Sequence, residues 1–159
     1  KILYLHGLES PQGGPKVDFL SKKCFVHAPE MDYTRHDIFD FIIKTVNEFK
    51  PDIIIGSSMG GYTAFILGAL YKIPVLAFNP ALHSRTIEPN YPEFVKHHIP
   101  NKFTVVIEEE DTLIEGNRTL EWLKDNIKDK FVDWKVEHIE GMGHRVPLDV
   151  FADMYNKIV

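Results

Sequence analysis

The sequence predicts an α/β fold in which about six mainly parallel strands form one sheet with helices on both faces. Three observations predict it. Six short apolar runs alternate with longer stretches. The first four runs are nearly continuous hydrophobe, as strands buried on both sides are. The stretches between carry apolar residues at helical spacing, which gives the strand–helix–strand alternation of a parallel sheet with right-handed crossovers.

The runs, in order, are Ile2–Leu5, Cys24–Ala28, Ile53–Ile55, Val75–Phe78, Phe103–Ile107 and Phe131–His138. The last one alternates apolar and polar residues, which suits an edge strand. Ile38, Ile42, Val46 and Phe49 share one face of a helix over 36–49, and Leu120, Leu123 and Ile127 do so over 116–127. Phe151, Met154, Tyr155 and Ile158 mark a C-terminal helix, with Pro147 fitting its first turn. The helix after Ser58 is different, because Gly60, Ala64 and Gly68 form a stripe of small residues at every fourth position. A helical glycine costs about 1 kcal/mol relative to alanine, so close approach to a sheet is the expected reason for them. Residues 80–100 hold Pro80, Pro89, Pro92 and Pro100 and are the only candidate cap over a site. There are no repeats or linkers, so 1–159 reads as one domain.

Composition narrows the function. Hydrophobic residues are 44% and charged residues 26%, values of an ordinary globular protein. The net charge of −5 and the lack of a basic stripe argue against a nucleic-acid partner. Lys22-Lys23 reads as a solvated helix end. The single cysteine, Cys24, lies in an apolar run and reads as a core residue that cannot form an intrachain disulfide. No 18-residue apolar run exists, which predicts no membrane span. The chain opens directly on a strand, so cytoplasm is the expected location; it does not begin with Met, which leaves a trimmed leader open.

Gly56-Ser57-Ser58-Met59-Gly60 falls between an apolar run and a helix-like stretch. This is G-x-S-x-G in a strand–turn–helix context, where a sharp turn exposes the serine hydroxyl and the glycines leave room that a side chain would fill. A phosphate loop is the competing reading, since Gly56 and Gly61 have its spacing. Tyr62-Thr63 then stands where lysine and a hydroxyl residue are needed, and a nucleotide site is not expected.

A serine needs a base within reach, and the base needs an orienting acid. In open parallel sheets such groups gather at the carboxyl ends of strands. Asp111 follows the fifth run, and His144 lies in Gly141-Met142-Gly143-His144 after the sixth. The acidic stretch Glu108-Glu109-Glu110-Asp111 leaves Glu109 and Glu110 as alternative acids. His6-Gly7 follows the first strand, where a loop amide can help stabilise an oxyanion; Leu8 and Met59 are the expected backbone donors, supported by His6, Gly7, Gly56 and Gly60. Gly13-Gly14 either shapes that hole or is plain loop.

Leu5-His6-Gly7-Leu8, Gly56-Ser57-Ser58-Met59-Gly60-Gly61 and Gly143-His144 together resemble the α/β-hydrolase superfamily. The short length and Phe78-Asn79-Pro80-Ala81 resemble its small bacterial YqiA/YcfP-type esterase group. The order Ser58, Asp111, His144 is that of the superfamily triad. The resemblance implies a minimal α/β-hydrolase fold without a large lid. It also implies ester or thioester hydrolysis through an acyl-enzyme, with Ser58 as nucleophile, His144 as base then acid, Asp111 as orienting carboxylate, and no cofactor. The partner expected is a small-molecule acyl ester or thioester, with short acyl chains favoured. A non-catalytic binding domain on the same fold, or a peptidase or acyltransferase using the same site, is the alternative.

Other residues carry weaker expectations. Asn79 reads as a support for loop backbone, and His83 and Arg85 as surface residues. His97-His98 reads as a helix-end cap, and His27, Glu30 and Asp32 as possible borders of the pocket. No Cys/His cluster predicts a metal.

Overall fold

The computed structural model describes residues 1–159. Six strands form one sheet: β1 (Ile2–Leu5), β2 (Val26–His27), β3 (Ile53–Ser57), β4 (Val75–Phe78), β5 (Lys102–Ile107) and β6 (Asp133–His138). Their spatial order is β2-β1-β3-β4-β5-β6. All five pairings are parallel. Five α-helices connect or flank them: α1 (Pro15–Ser21), α2 (Ile38–Phe49), α3 (Met59–Tyr71), α4 (Gly116–Asn126) and α5 (Leu148–Ile158). None is long and apolar enough to cross a membrane.

Alternation along each strand sends side chains to two separate cores. Leu3, Leu5, Ile54, Ala77 and Val105 join a cluster of 25 buried residues with Ile38 and Ile42 of α2, Phe65 of α3 and Leu123 of α4. Ile2, Tyr4, Ile55, Leu76, Phe78 and Val106 join a cluster of 10 with Leu20 of α1 and Phe151 of α5. Helices therefore cover both faces, but unequally.

The small-residue stripe of α3 has the expected cause. A β-carbon on Gly60 would land on the Leu5 carbonyl, and one on Gly68 would land on the Val75 side chain. The helix runs so close to the sheet that Met59 through Gly68 are all buried.

Several elements depart from expectation. The apolar run 24–28 reads as a buried strand, but only Val26–His27 pairs, and only with β1. It is an edge, so Phe25 is left 81% exposed. Cys24 is half-buried beyond the end of α1, packed against the margin of the smaller core, with its thiol 3.4 Å from the Leu20 carbonyl. β6 is the opposite edge, as its alternation predicts, but it starts at Asp133 and leaves Phe131 82% exposed. Pro147 stands just before α5 rather than inside its first turn, and its carbonyl accepts the Phe151 amide at 3.0 Å. Helix α1 is too short, at 7 residues, to show a period in the sequence.

The segment between β4 and β5 holds one three-residue 3₁₀ turn, Glu93–Val95, and no helical lid. Its inner side is buried through Ala81, Leu82, Tyr91 and Val95. The Tyr91 hydroxyl lies 2.8 Å from that of Thr63 on α3. Arg85 donates to the Ala81 and Leu82 carbonyls and to Glu88, and stacks 4.0 Å from the Tyr62 ring. Arg85 is thus a tether for this segment, not a solvated surface residue.

Candidate active site

Ser58 sits between the end of β3 and the start of α3 with φ 52° and ψ −115°. This lies outside the regions that side chains ordinarily occupy, and such a conformation costs on the order of 1–3 kcal/mol. The surrounding backbone enforces it. The Ser58 amide donates to the Phe78 carbonyl at 2.9 Å, and its carbonyl accepts the amides of Tyr62 at 3.1 Å and Ala81 at 3.0 Å. A β-carbon on Gly56 would collide with the Gly60 backbone. The turn closes only because both residues lack one.

The loop after β1 lies against this turn. A β-carbon built on Gly7 would be 3.5 Å from Ser58 Cβ and 3.5 Å from the Ser57 carbonyl. His6 braces the loop from below. Its Nε2 accepts the Met31 amide at 2.9 Å, which puts the ring proton on Nδ1, where it donates to the Gly7 carbonyl at 2.7 Å. The His6 carbonyl accepts the Tyr33 hydroxyl at 2.5 Å. The Leu8 amide donates to no backbone carbonyl. Met59 is buried as the first residue of α3. Gly13 and Gly14 have φ of 84° and 89° and form the turn into α1, with open space around both.

Asp111 follows β5 and is buried, while the His144 side chain is 21% exposed. Asp111 Oδ2 lies 2.6 Å from His144 Nδ1. Its Oδ1 accepts the amides of Leu113 at 2.8 Å and Ile114 at 3.0 Å, which fixes the plane of the carboxylate. A proton held on Nδ1 leaves Nε2 as the free acceptor. Of the alternative acids, Glu109 pairs with His138 Nδ1 at 3.0 Å, and Glu110 meets the site only through its amide.

One dipeptide joins the serine turn to the histidine loop. Phe78 accepts the Ser58 amide, and Asn79 Nδ2 donates to the carbonyls of Gly143 at 3.2 Å and His144 at 3.4 Å. Asn79 Oδ1 accepts the Glu108 amide at 3.0 Å. The structure thus brings the Ser58, His6–Leu8, Asp111 and His144 segments to the carboxyl ends of β1, β3, β5 and β6. No hydrogen bond joins the Ser58 hydroxyl to the imidazole; in substrate-free sites that bond is often long and tightens in the complex.

Nothing in the local sequence marks Glu108 as a site residue. It is buried, and its Oε2 accepts the amides of Met142 and, at 3.1 Å, Gly143. Its position at the head of an acidic run hid it, because such a run reads as solvated surface.

The remaining candidates lie elsewhere. His83 Nδ1 is 3.2 Å from the Thr119 hydroxyl, and burial, with nearby Arg118, lowers its pKa. His97 pairs with Glu93 at 3.4 Å, and His98 donates its amide to the Val95 carbonyl at 3.2 Å, just past the 3₁₀ turn. His27 tilts against Phe49 at 5.3 Å and lines an open cleft of about 470 Å³ with Pro29, Phe41 and Lys44. A second cleft of about 270 Å³ is lined by Tyr62, Arg85 and Trp122. Neither is lined by Ser58, Asp111 or His144. Asp32 holds the Thr34 amide and hydroxyl in a local turn. No group of three or more His, Cys, Asp or Glu side chains is arranged around a metal position.

Solved structures share this architecture. Est1E from Butyrivibrio proteoclasticus matches with a TM-score of 0.72 and 12% identity over 98% of this chain and 85% of that one. A monoacylglycerol lipase from Paleococcus ferrophilus matches with a TM-score of 0.65 and 16% identity over 98% and 91%. XC6422 from Xanthomonas campestris, an α/β serine hydrolase without lid, matches with a TM-score of 0.60 and 12% identity over 99% and 80%. At these identities the likeness establishes the α/β-hydrolase fold alone. Residues 1–91, which carry the serine turn but neither Asp111 nor His144, match the family described as Uncharacterised protein family (UPF0227). That is the YqiA/YcfP-type group that the sequence motifs resemble, and the chain belongs to it.

Proposed function

We propose that this chain is a serine hydrolase of small carboxylic esters or thioesters. The observation that carries the reading is the convergence at Phe78-Asn79, which tethers a strained serine turn on one side and an Asp111-bonded histidine on the other. His144 Nε2 takes the Ser58 proton as Oγ attacks the acyl carbonyl. The amides of Leu8 and Met59 stabilise the oxyanion; losing one such donor costs about 2.7–4 kcal/mol of barrier. His144 then returns the proton to the leaving alcohol or thiol, and the acyl group stays on Ser58. A water deprotonated by the same imidazole releases the acid and regenerates the hydroxyl. Asp111 keeps the imidazole in the tautomer that leaves Nε2 free and stabilises the imidazolium that forms. No residue of the mechanism requires a cofactor.

The segment between β4 and β5 has no helix beyond one 3₁₀ turn, which supports short acyl groups over long-chain lipid. Ser58→Ala should abolish turnover of short p-nitrophenyl esters and covalent labelling by a fluorophosphonate, with circular dichroism unchanged. Full turnover in that variant, or a wild-type protein that a fluorophosphonate leaves unlabelled, overturns the reading; the second result would favour a binding role for the fold.

A further inference from the structure

Glu108 is one of two buried carboxylates, the other being Asp111. Its partners are backbone amides rather than a cation. Oε2 accepts Met142 N–H and Gly143 N–H, and Oε1 accepts Glu110 N–H at 3.2 Å. We propose that Glu108 is a positioning residue for the reaction above, setting where His144 stands relative to Ser58 through the backbone of the histidine loop. The inference rests on the hydrolase reading.

Residues 141–144 have few other polar partners. Gly141 and Gly143 have φ of 69° and 70°, and a β-carbon on either would meet nothing within 4 Å. Met142 and Val146 anchor the loop in the smaller core, with Ile139 packed against them. The polar bonds are concentrated on three consecutive residues: Glu108 takes the amides of 142 and 143, and Asn79 takes the carbonyls of 143 and 144. Asn79 also accepts the Glu108 amide, so the two side chains form one brace. Glu108 does not compete with Asp111 for the ring, because both its oxygens are occupied by amides. It acts through the main chain.

Two substitutions separate hydrogen bonding from charge. Glu108→Met keeps approximate shape and loses every acceptor. Glu108→Gln keeps one oxygen, which can face Met142 and Gly143 while its amide group turns toward Glu110. With p-nitrophenyl acetate, Glu108→Met should lose about 10–100-fold in kcat, with KM within about threefold of wild type, because a displacement near 1 Å has that scale of cost. Glu108→Gln should restore kcat to within about fivefold of wild type, as expected when the two bonds to Met142 and Gly143 survive. A kcat for Glu108→Met within about threefold of wild type overturns the proposal, as does a Glu108→Gln as slow as the methionine variant.

Should the methionine variant fail to fold, amide exchange in the wild-type protein decides. The Gly143 amide should be protected despite its exposed position, and that of Gly141 should not. Equal, fast exchange at both overturns the brace. A wild-type protein that neither turns over the ester nor labels at Ser58 removes the hydrolase reading, and Gly143 exchange then still reports whether the brace exists.

Discussion

Ser58 opens a helix packed on the face of the sheet that buries 25 core residues, whereas the His144 loop leads into α5 on the face that buries 10. On the first side, position is enforced by exclusion. Gly60 presses on the β1 carbonyl at Leu5, Gly56 presses on Gly60, and ten consecutive residues of α3 are buried. On the second side, position comes from directed bonds. Asp111, Asn79 and Glu108 each reach an atom of residues 142–144. Repulsion is steep and short-ranged, so the serine turn tolerates almost no change of shape. Hydrogen bonds are softer and additive only in part, so the histidine side should lose activity before it loses structure.

The largest expected effect on stability is therefore on the first side. Gly60→Ala drives a methyl group into backbone rather than into a yielding side chain. It should destabilise the protein by at least the 1–3 kcal/mol typical of overpacking, lowering the thermal midpoint and activity together. A stable, active variant would break the contrast. The Leu8 and Met59 side chains are asked only to carry their amides, so substitutions there should hurt less.

Asp111→Asn comes next. The amides of Leu113 and Ile114 hold the remaining oxygen, so the new amide group faces His144 Nδ1. The ring must then accept at Nδ1 and carry its proton on Nε2, the wrong tautomer for a base. About 10⁴-fold should be lost in kcat, with little change in the melting curve. An equal loss of stability would place both sides under the same control.

The smallest effect concerns the thinner face. Lys16 Nζ lies 5.7 Å from the centre of the Phe151 ring, and burial lowers its pKa from 10.5 to about 8. The native state releases this proton near pH 8, while the unfolded chain keeps it to near 10.5. Between those values the native state binds fewer protons, so stability rises with pH across the window. Relative to Lys16→Met, the wild-type thermal midpoint should climb from pH 8 to pH 10; a constant difference would show that this face accommodates the ammonium without cost.

What was legible in the sequence follows the same division. Steric demands write themselves locally: the glycines at 56 and 60 and the stripe along α3 are visible because only small residues fit there. Buried parallel strands show as unbroken apolar runs. Edges do not, which is why 24–28 read as a full strand although β2 has one neighbour and two paired residues. Position in an acidic run could not separate Asp111 from Glu109, because the choice depends on which carboxylate the β5 register turns inward. Asn79 was legible as a loop support, whereas Glu108, whose partners in the histidine loop lie more than thirty residues away, left no local mark.

From β3 onward the strands lie side by side in the order in which the chain runs. A nascent polypeptide can therefore lay each new strand on the one before it, extending the sheet in a single direction as domains fold during synthesis. The loop bearing His144 is made only after all six strands. On the proposed hydrolase reading, a ribosome-bound chain ending before β6 would carry the serine turn without the imidazole meant to draw a proton from it.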